Sequence, residues 1–76
     1  VHLAASSKSR AATLTNREIE VLRYIARGMS KKEIAKTMHL SVKTIENHSA
    51  SIMSRLDIHD RVELTRFAIR EGLVEA

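Results

Sequence analysis

The sequence predicts a small all-α protein, and three observations lead to that fold class. Its 76 residues include no proline, so no proline interrupts a helical hydrogen-bond pattern. The only aromatic residues are Tyr24 and Phe67, and a core of Ile, Leu, Val, Met and Ala is typical of packed helices. Both glycines, Gly28 and Gly72, follow apolar residues at helical spacing, where a residue with positive φ ends a helix. A chain of this length has room for one compact domain.

N-terminal capping patterns predict four helix starts. Three of them place Ser, Thr or Asp three residues before Glu, which is the spacing of a capping box. The pairs are Thr15 with Glu18, Ser30 with Glu33, and Asp60 with Glu63. At the fourth start Ser41 is the cap, and Thr44 stands where the glutamate would be. Together with the apolar periodicity, these caps predict helices over residues 16–27, 31–38, 42–56 and 61–71.

The short connection between the second and third predicted helices indicates a helix-turn-helix. Only residues 39–41 separate them, and about three or four residues are typical of that motif. His39 stands in the turn where glycine is commoner, but histidine is among the few other residues that enter the left-handed region. The inner faces are predicted to bury Ile19, Leu22, Ile25, Ala26, Ile34, Ala35, Met38, Ile45, Ile52, Met53, Leu56, Leu64, Phe67 and Ala68.

The first 13 residues differ in composition from the rest. They are rich in Ala and Ser and contain no acidic residue, so we expect residues 1–13 to be a flexible linker from a missing upstream domain and residues 14–76 to form the folded domain. No apolar run reaches the roughly 18 residues of a membrane span, and cysteine is absent. We therefore expect a cytoplasmic protein without disulfides and without membrane association.

Neither enzymatic nor metal chemistry is expected. The four histidines lack the spacing of metal ligands, and no glycine-rich phosphate loop is present. Ser49 and His48 are not a catalytic pair, because neighbours on a helix point about 100° apart. The sequence therefore predicts no catalytic residue, no metal and no cofactor.

The third predicted helix has an unusual polar side. With Ile45, Ile52 and Leu56 in the core, its other side combines small residues with polar ones at Lys43, Glu46, Asn47, Ala50 and Ser51. Asn can bond adenine in a bidentate manner, Glu can accept from cytosine N4, and Ala can contact a thymine methyl. The net charge of +4 also favours a polyanionic partner, although a charge of this size is common in soluble domains.

The segments LTNREIEVL, GMSKKEIA, SVKTIENH and IMSRL together resemble the DNA-binding domain of LuxR/FixJ-type bacterial response regulators, over Leu14 to Leu73. The resemblance implies a four-helix domain whose third helix enters the major groove of double-stranded DNA. It also implies homodimers on DNA in which the fourth helices pair, and an upstream phospho-accepting receiver or another sensor domain. RNA polymerase is a further candidate partner.

The resemblance assigns base contacts to Glu46, Asn47 and Ala50, and phosphate contacts to Lys43, Thr44 and His48. Glu46 departs from relatives that carry lysine there, so their target sequences do not transfer to this chain. For His48, a buried and hydrogen-bonded histidine is an equally weighted alternative. Phosphate contacts are also predicted for Lys31 and Lys32, beside the exposed amides of a helix N-terminus, and for Ser51.

A second apolar stripe on the fourth helix predicts the dimer interface. Val62, Thr65 and Ile69 follow one another at spacings of three and four, away from the predicted core positions. Two alternative functions remain open. The exposed face could dock a protein partner as a helical interaction module, or the helix-turn-helix could belong to a promoter-recognition domain of a sigma factor.

Overall fold

The computed structural model describes residues 12–75, and in this range the chain forms four α-helices and no strand. They are α1 (Asn16–Ala26), α2 (Lys31–Met38), α3 (Val42–Leu56) and α4 (Arg61–Arg70). The predicted all-α class is confirmed, with α1 and α4 each ending one residue earlier than predicted. Most of the predicted linker, residues 1–11, lies outside the described residues.

The predicted caps form at all four helix starts. Glu18 N donates to Thr15 Oγ1 at 3.1 Å, and Thr15 N donates to Glu18 Oε1 at 2.9 Å, which completes the capping box of α1. Ser30 and Glu33 form the same reciprocal pair at α2. At α3, Thr44 N donates to Ser41 Oγ at 3.0 Å.

The capping box predicted for α4 forms only in half. Glu63 N donates to Asp60 Oδ2 at 3.1 Å, but the Glu63 carboxylate pairs with Arg66 Nη1 at 3.5 Å. Residues three apart on a helix are neighbours, so Arg66 is well placed to draw this carboxylate away from the cap.

All four helices end in the same way. A residue with positive φ stands one or two positions after each helix, and the next backbone amide donates to a carbonyl five residues earlier, as in a Schellman motif. The four residues are Gly28, His39, Asp57 and Gly72. The prediction that His39 adopts the left-handed conformation is confirmed by its φ of 59° and ψ of 42°.

The core lies where α1 packs against α2, α3 and α4, and α3 packs against α2. Most of the predicted core residues are buried, but Ile19, Ala26 and Met53 are only half-buried. Val21, absent from the predicted core, is completely buried. The buried face of α1 is therefore rotated from the predicted one, and it comprises Glu18, Val21, Leu22 and Ile25.

Candidate nucleic-acid interface

The outer face of α3 is formed by the predicted base-contacting residues. Glu46, Asn47 and Ala50 are all exposed, and they share one face because Ala50 stands four residues after Glu46 and three after Asn47. Lys43 is exposed at the start of the same helix. On the opposite side Ile45 and Ile52 are completely buried and fix which face is outward.

The fold brings the start of α2 next to this face. Lys31 and Lys32 are exposed in the first turn of α2. Lys31 lines a groove of about 310 Å³ together with Glu46 and Ala50 of α3. The other residues lining the groove are Ile25, Ser49, Met53 and Arg61. Arg61, at the first position of α4, donates to the backbone carbonyls of Ile25 and Met29, so the start of α4 also lies beside this groove.

Three predicted phosphate contacts are less exposed. Thr44, His48 and Ser51 are half-buried. The hydroxyls of Thr44 and Ser41 lie 2.8 Å apart within the N-terminal cap of α3. The Ser51 hydroxyl donates to Glu18 Oε2 at 2.7 Å, on the side that faces α1. The half-buried position of His48 does not decide between a phosphate contact and a buried, hydrogen-bonded histidine.

A carboxylate on α1 supports α3 from behind the outer face. Glu18 is only 4% exposed, and it accepts hydrogen bonds from Thr15 N, Ser51 Oγ and Arg55 Nη1, the last two at 2.7 Å. Burial alone would raise its pKa, but the hydrogen bonds from Thr15 and Ser51 and the charge of Arg55 lower the pKa below the ordinary value of 4.5.

From the sequence, Glu18 was predicted only as part of a cap. Glu18 also holds α3 by accepting hydrogen bonds from Ser51 and Arg55. In the sequence, the one sign of this role is that Ser51 and Arg55 stand four residues apart, which places two donors on one side of α3. That spacing does not show which carboxylate the two donors meet. The choice depends on how α1 packs across α3.

The predicted dimer stripe is accessible on α4. Val62 is 58% exposed and Ile69 is 37% exposed, and Thr65 between them is half-buried. The Thr65 hydroxyl donates to the Arg61 carbonyl at 3.0 Å. Three large hydrophobic residues are exposed among residues 12–75. Val62 and Ile69 belong to this stripe, and the third, Val42, lies on α3.

Metal-binding clusters and membrane-spanning helices were also sought among the described residues. Residues 12–75 contain no group of three or more His, Cys, Asp or Glu side chains that could hold a metal ion. His59 Nε2 lies 3.3 Å from Asp57 Oδ1, but both side chains are largely exposed. Over the same residues, no helix has the length and apolar character needed to cross a membrane.

Four short helices with a three-residue turn between α2 and α3 define a helix-turn-helix domain. Residues 12–68 match the family GerE, described as bacterial regulatory proteins of the luxR family. The chain belongs to this family, whose members are described as bacterial regulatory proteins rather than enzymes.

Several response regulators are similar to this chain. It is 50% identical over 60 residues to the uncharacterized response regulatory protein YgeK of Escherichia coli K12, a match that covers 79% of this chain and 41% of the relative. It is 56% identical over 55 residues to the Fimbriae Z protein of Salmonella typhimurium LT2, covering 72% of this chain and 26% of that protein. It is 39% identical over 62 residues to the response regulator VraR of Staphylococcus aureus, a match that covers 82% of this chain and 30% of that protein. The matched region is thus less than half of each relative.

Proposed function

We propose that this domain binds double-stranded DNA in a sequence-specific manner, with α3 in the major groove. The observation that carries the proposal is the outward face of α3, where Glu46, Asn47 and Ala50 are exposed together. A protein contacts base edges through such a helix when its polar and small side chains are free to approach the groove floor. Asn47 is suited to adenine, Glu46 to cytosine and Ala50 to a thymine methyl.

Phosphate contacts are assigned to the basic residues around that face. Lys43 lies in the first turn of α3 and Lys31 and Lys32 lie in the first turn of α2, where exposed backbone amides also favour an anion. Thr44 and His48 are proposed as further phosphate contacts at the edge of the same face. Contacts of this kind orient the domain on DNA without selecting a sequence.

Ser51 is better assigned to the interior side of α3 than to DNA. Its single hydroxyl proton is donated to Glu18, and a phosphate oxygen would require the same proton. A phosphate contact from Ser51 would therefore leave the buried Glu18 carboxylate short of a donor, which carries a free-energy cost.

The dimer is proposed to form on DNA through α4. Val62, Thr65 and Ile69 from two copies would pair about a two-fold axis, with half-site centres about 10 base pairs apart. The stripe is small, so we expect the isolated domain to be mostly monomeric. On DNA, one bound copy raises the effective concentration of the next.

The similarity to response regulators supports a wider proposal for the full-length protein. In it, this domain is the effector part of a bacterial response regulator, and an upstream receiver or other sensor domain controls it. RNA polymerase is a candidate partner at the promoter. Since the proposed DNA partner of a bacterial regulator lies in the cytoplasm, we propose that location for the protein.

A salt titration tests the proposed function. Binding of the domain to random-sequence duplex should fall steeply between about 50 and about 200 mM salt, because phosphate neutralisation releases counterions. An absence of duplex binding at low salt would contradict the proposal and favour a helical protein-interaction module.

A further inference from the structure

We propose that Glu18 is a positioning residue for DNA recognition, and that its carboxylate sets the rotation and tilt of α3 although it lies on another helix. The inference rests on the proposed function of α3. Glu18 is 4% exposed in the first turn of α1, and the side chains that meet its two oxygens come from α3.

The contacts of Glu18 lie on the same stripe of α3 as a base-contacting residue. Asn47, Ser51 and Arg55 succeed one another at intervals of four, so each stands one turn further along the helix and about 40° around it. Holding Ser51 and Arg55 at a fixed carboxylate therefore also fixes the direction in which Asn47 points.

Both oxygens of the carboxylate are used. Oε1 accepts from Thr15 N at 2.9 Å and from Arg55 Nη1 at 2.7 Å, and Oε2 accepts from Ser51 Oγ at 2.7 Å. Arg55 Nη1 also donates to the Thr13 carbonyl at 2.9 Å. The start of α1 and the second half of α3 thus meet at the buried Glu18 carboxylate, and Arg55 also joins α3 to Thr13.

Apolar packing alone does not provide this precision. Ile45, Ile52 and Leu56 anchor α3 in the core, but the hydrophobic effect is non-directional. A rotation of about 10° moves a side-chain tip at roughly 5 to 6 Å from the helix axis by about 1 Å. Such a shift is enough to lose a hydrogen bond to a base edge, whose useful distance range spans only about 0.5 Å.

The test compares Glu18→Gln with a matched control, Glu33→Gln. Glu33 occupies the same position in the same type of capping box, but it is exposed and its hydrogen bonds to Ser30 stay within its own cap. Each variant removes one negative charge from the third residue of a helix. The difference between them isolates the contacts of Glu18 with α3.

The readout is discrimination, the ratio of the affinity for a selected duplex to the affinity for a scrambled duplex of equal length. Partial unfolding lowers both affinities equally and cancels in this ratio, so a merely structural role would leave the ratio unchanged. Glu18→Gln should reduce discrimination at least ten-fold, mainly through weaker binding of the selected duplex. Glu33→Gln should change the ratio by less than two-fold.

Ser51→Ala keeps the inference testable if Glu18→Gln does not fold. It removes one donor and leaves the ion pair with Arg55 in place, so a smaller loss of discrimination, about three-fold or more, is expected. Wild-type discrimination in every folded variant of Glu18 and Ser51 would overturn the inference. A wild-type protein that binds the two duplexes equally would instead overturn the proposed function, so the two failures are distinguishable.

Discussion

Arg55 and Glu18 join the second half of α3 to the first turn of α1 through an ion pair of 2.7 Å. The two partners differ in environment, since the Arg55 side chain is 42% exposed whereas that of Glu18 is 6% exposed. Solvent screens the exposed guanidinium, so the pair contributes less than a fully buried one. Loss of the pair would destabilise the fold mainly through the Glu18 carboxylate, because without its donors it would be a buried charge with neither water nor a hydrogen-bond partner.

Acidification should remove the stabilisation provided by Glu18. Its pKa in the folded state is lowered below 4.5, because the hydrogen bonds from Thr15 and Ser51 and the Arg55 charge outweigh the opposing effect of burial. Near that pH the unfolded state binds more protons, so the stabilisation is complete above the ordinary pKa and is lost as the pH falls through the lowered one. The wild-type melting temperature should exceed that of Glu18→Gln at about pH 6, and the gap should close towards about pH 3. A gap that stays constant over this range would show that ionisation of Glu18 does not stabilise the fold.

Asn47→Ala should relax sequence preference at one or two base pairs. The binding free energy for the specific site should weaken by roughly 1 to 3 kcal/mol, because a base-edge contact disappears. Asn47 is exposed, so the melting temperature should hardly change. Asn16→Ala is the matched control, the same truncation at an exposed position on α1. If Asn47→Ala retained the wild-type site preference, Asn47 would not be a base-contacting residue.

Replacing Lys43, Lys31 or Lys32 by Ala should weaken binding to specific and scrambled duplexes alike. Each true phosphate contact contributes about 0.9 to the slope of log K against log salt, so each variant should have a shallower slope by about that amount. Sequence preference should persist. Arg23→Ala, on the exposed side of α1, removes the same charge and should leave the slope nearly unchanged. A lysine variant that keeps the wild-type slope would show that this lysine does not contact a phosphate.

Ile69→Glu should abolish cooperative binding to a duplex with two half-sites, because a charge in the α4 stripe opposes close pairing. Affinity for a single half-site and the fold should be nearly unaffected, since Ile69 is 37% exposed. Arg70→Gln is the control, because it changes the net charge by the same amount at a position about 100° around the helix. Titration of duplexes with one and two half-sites measures the effect. Cooperativity that survives in Ile69→Glu would rule out this interface.

Local features of the structure were predictable because their chemistry is local. The caps at Thr15, Ser30 and Ser41, and the left-handed turn at His39, follow from residues a few positions apart. The left-handed conformation of Asp57 was not predicted, because no glycine or short turn marked that position. The exposed face of α3 followed from its apolar periodicity.

Features that depend on helix packing were predicted less well. On α1 the periodicity from Ile19 suggested an inner face, whereas packing against the other three helices buries Val21 and Glu18. Ser51 could not be distinguished from its exposed neighbours, because its partner Glu18 is 33 positions away along the chain. The same sequence pattern is compatible with a serine facing DNA or a serine facing α1, and only the crossing of the two helices separates these cases.

Selection of bound duplexes from a random pool tests the central claim most directly. The isolated domain is incubated with the pool at moderate salt, and the bound fraction is amplified, reselected and sequenced. The account predicts enrichment of one short sequence that occurs as two half-sites with centres about 10 base pairs apart. Recovery of bound duplexes that remain random in sequence after repeated rounds would contradict sequence-specific recognition by α3.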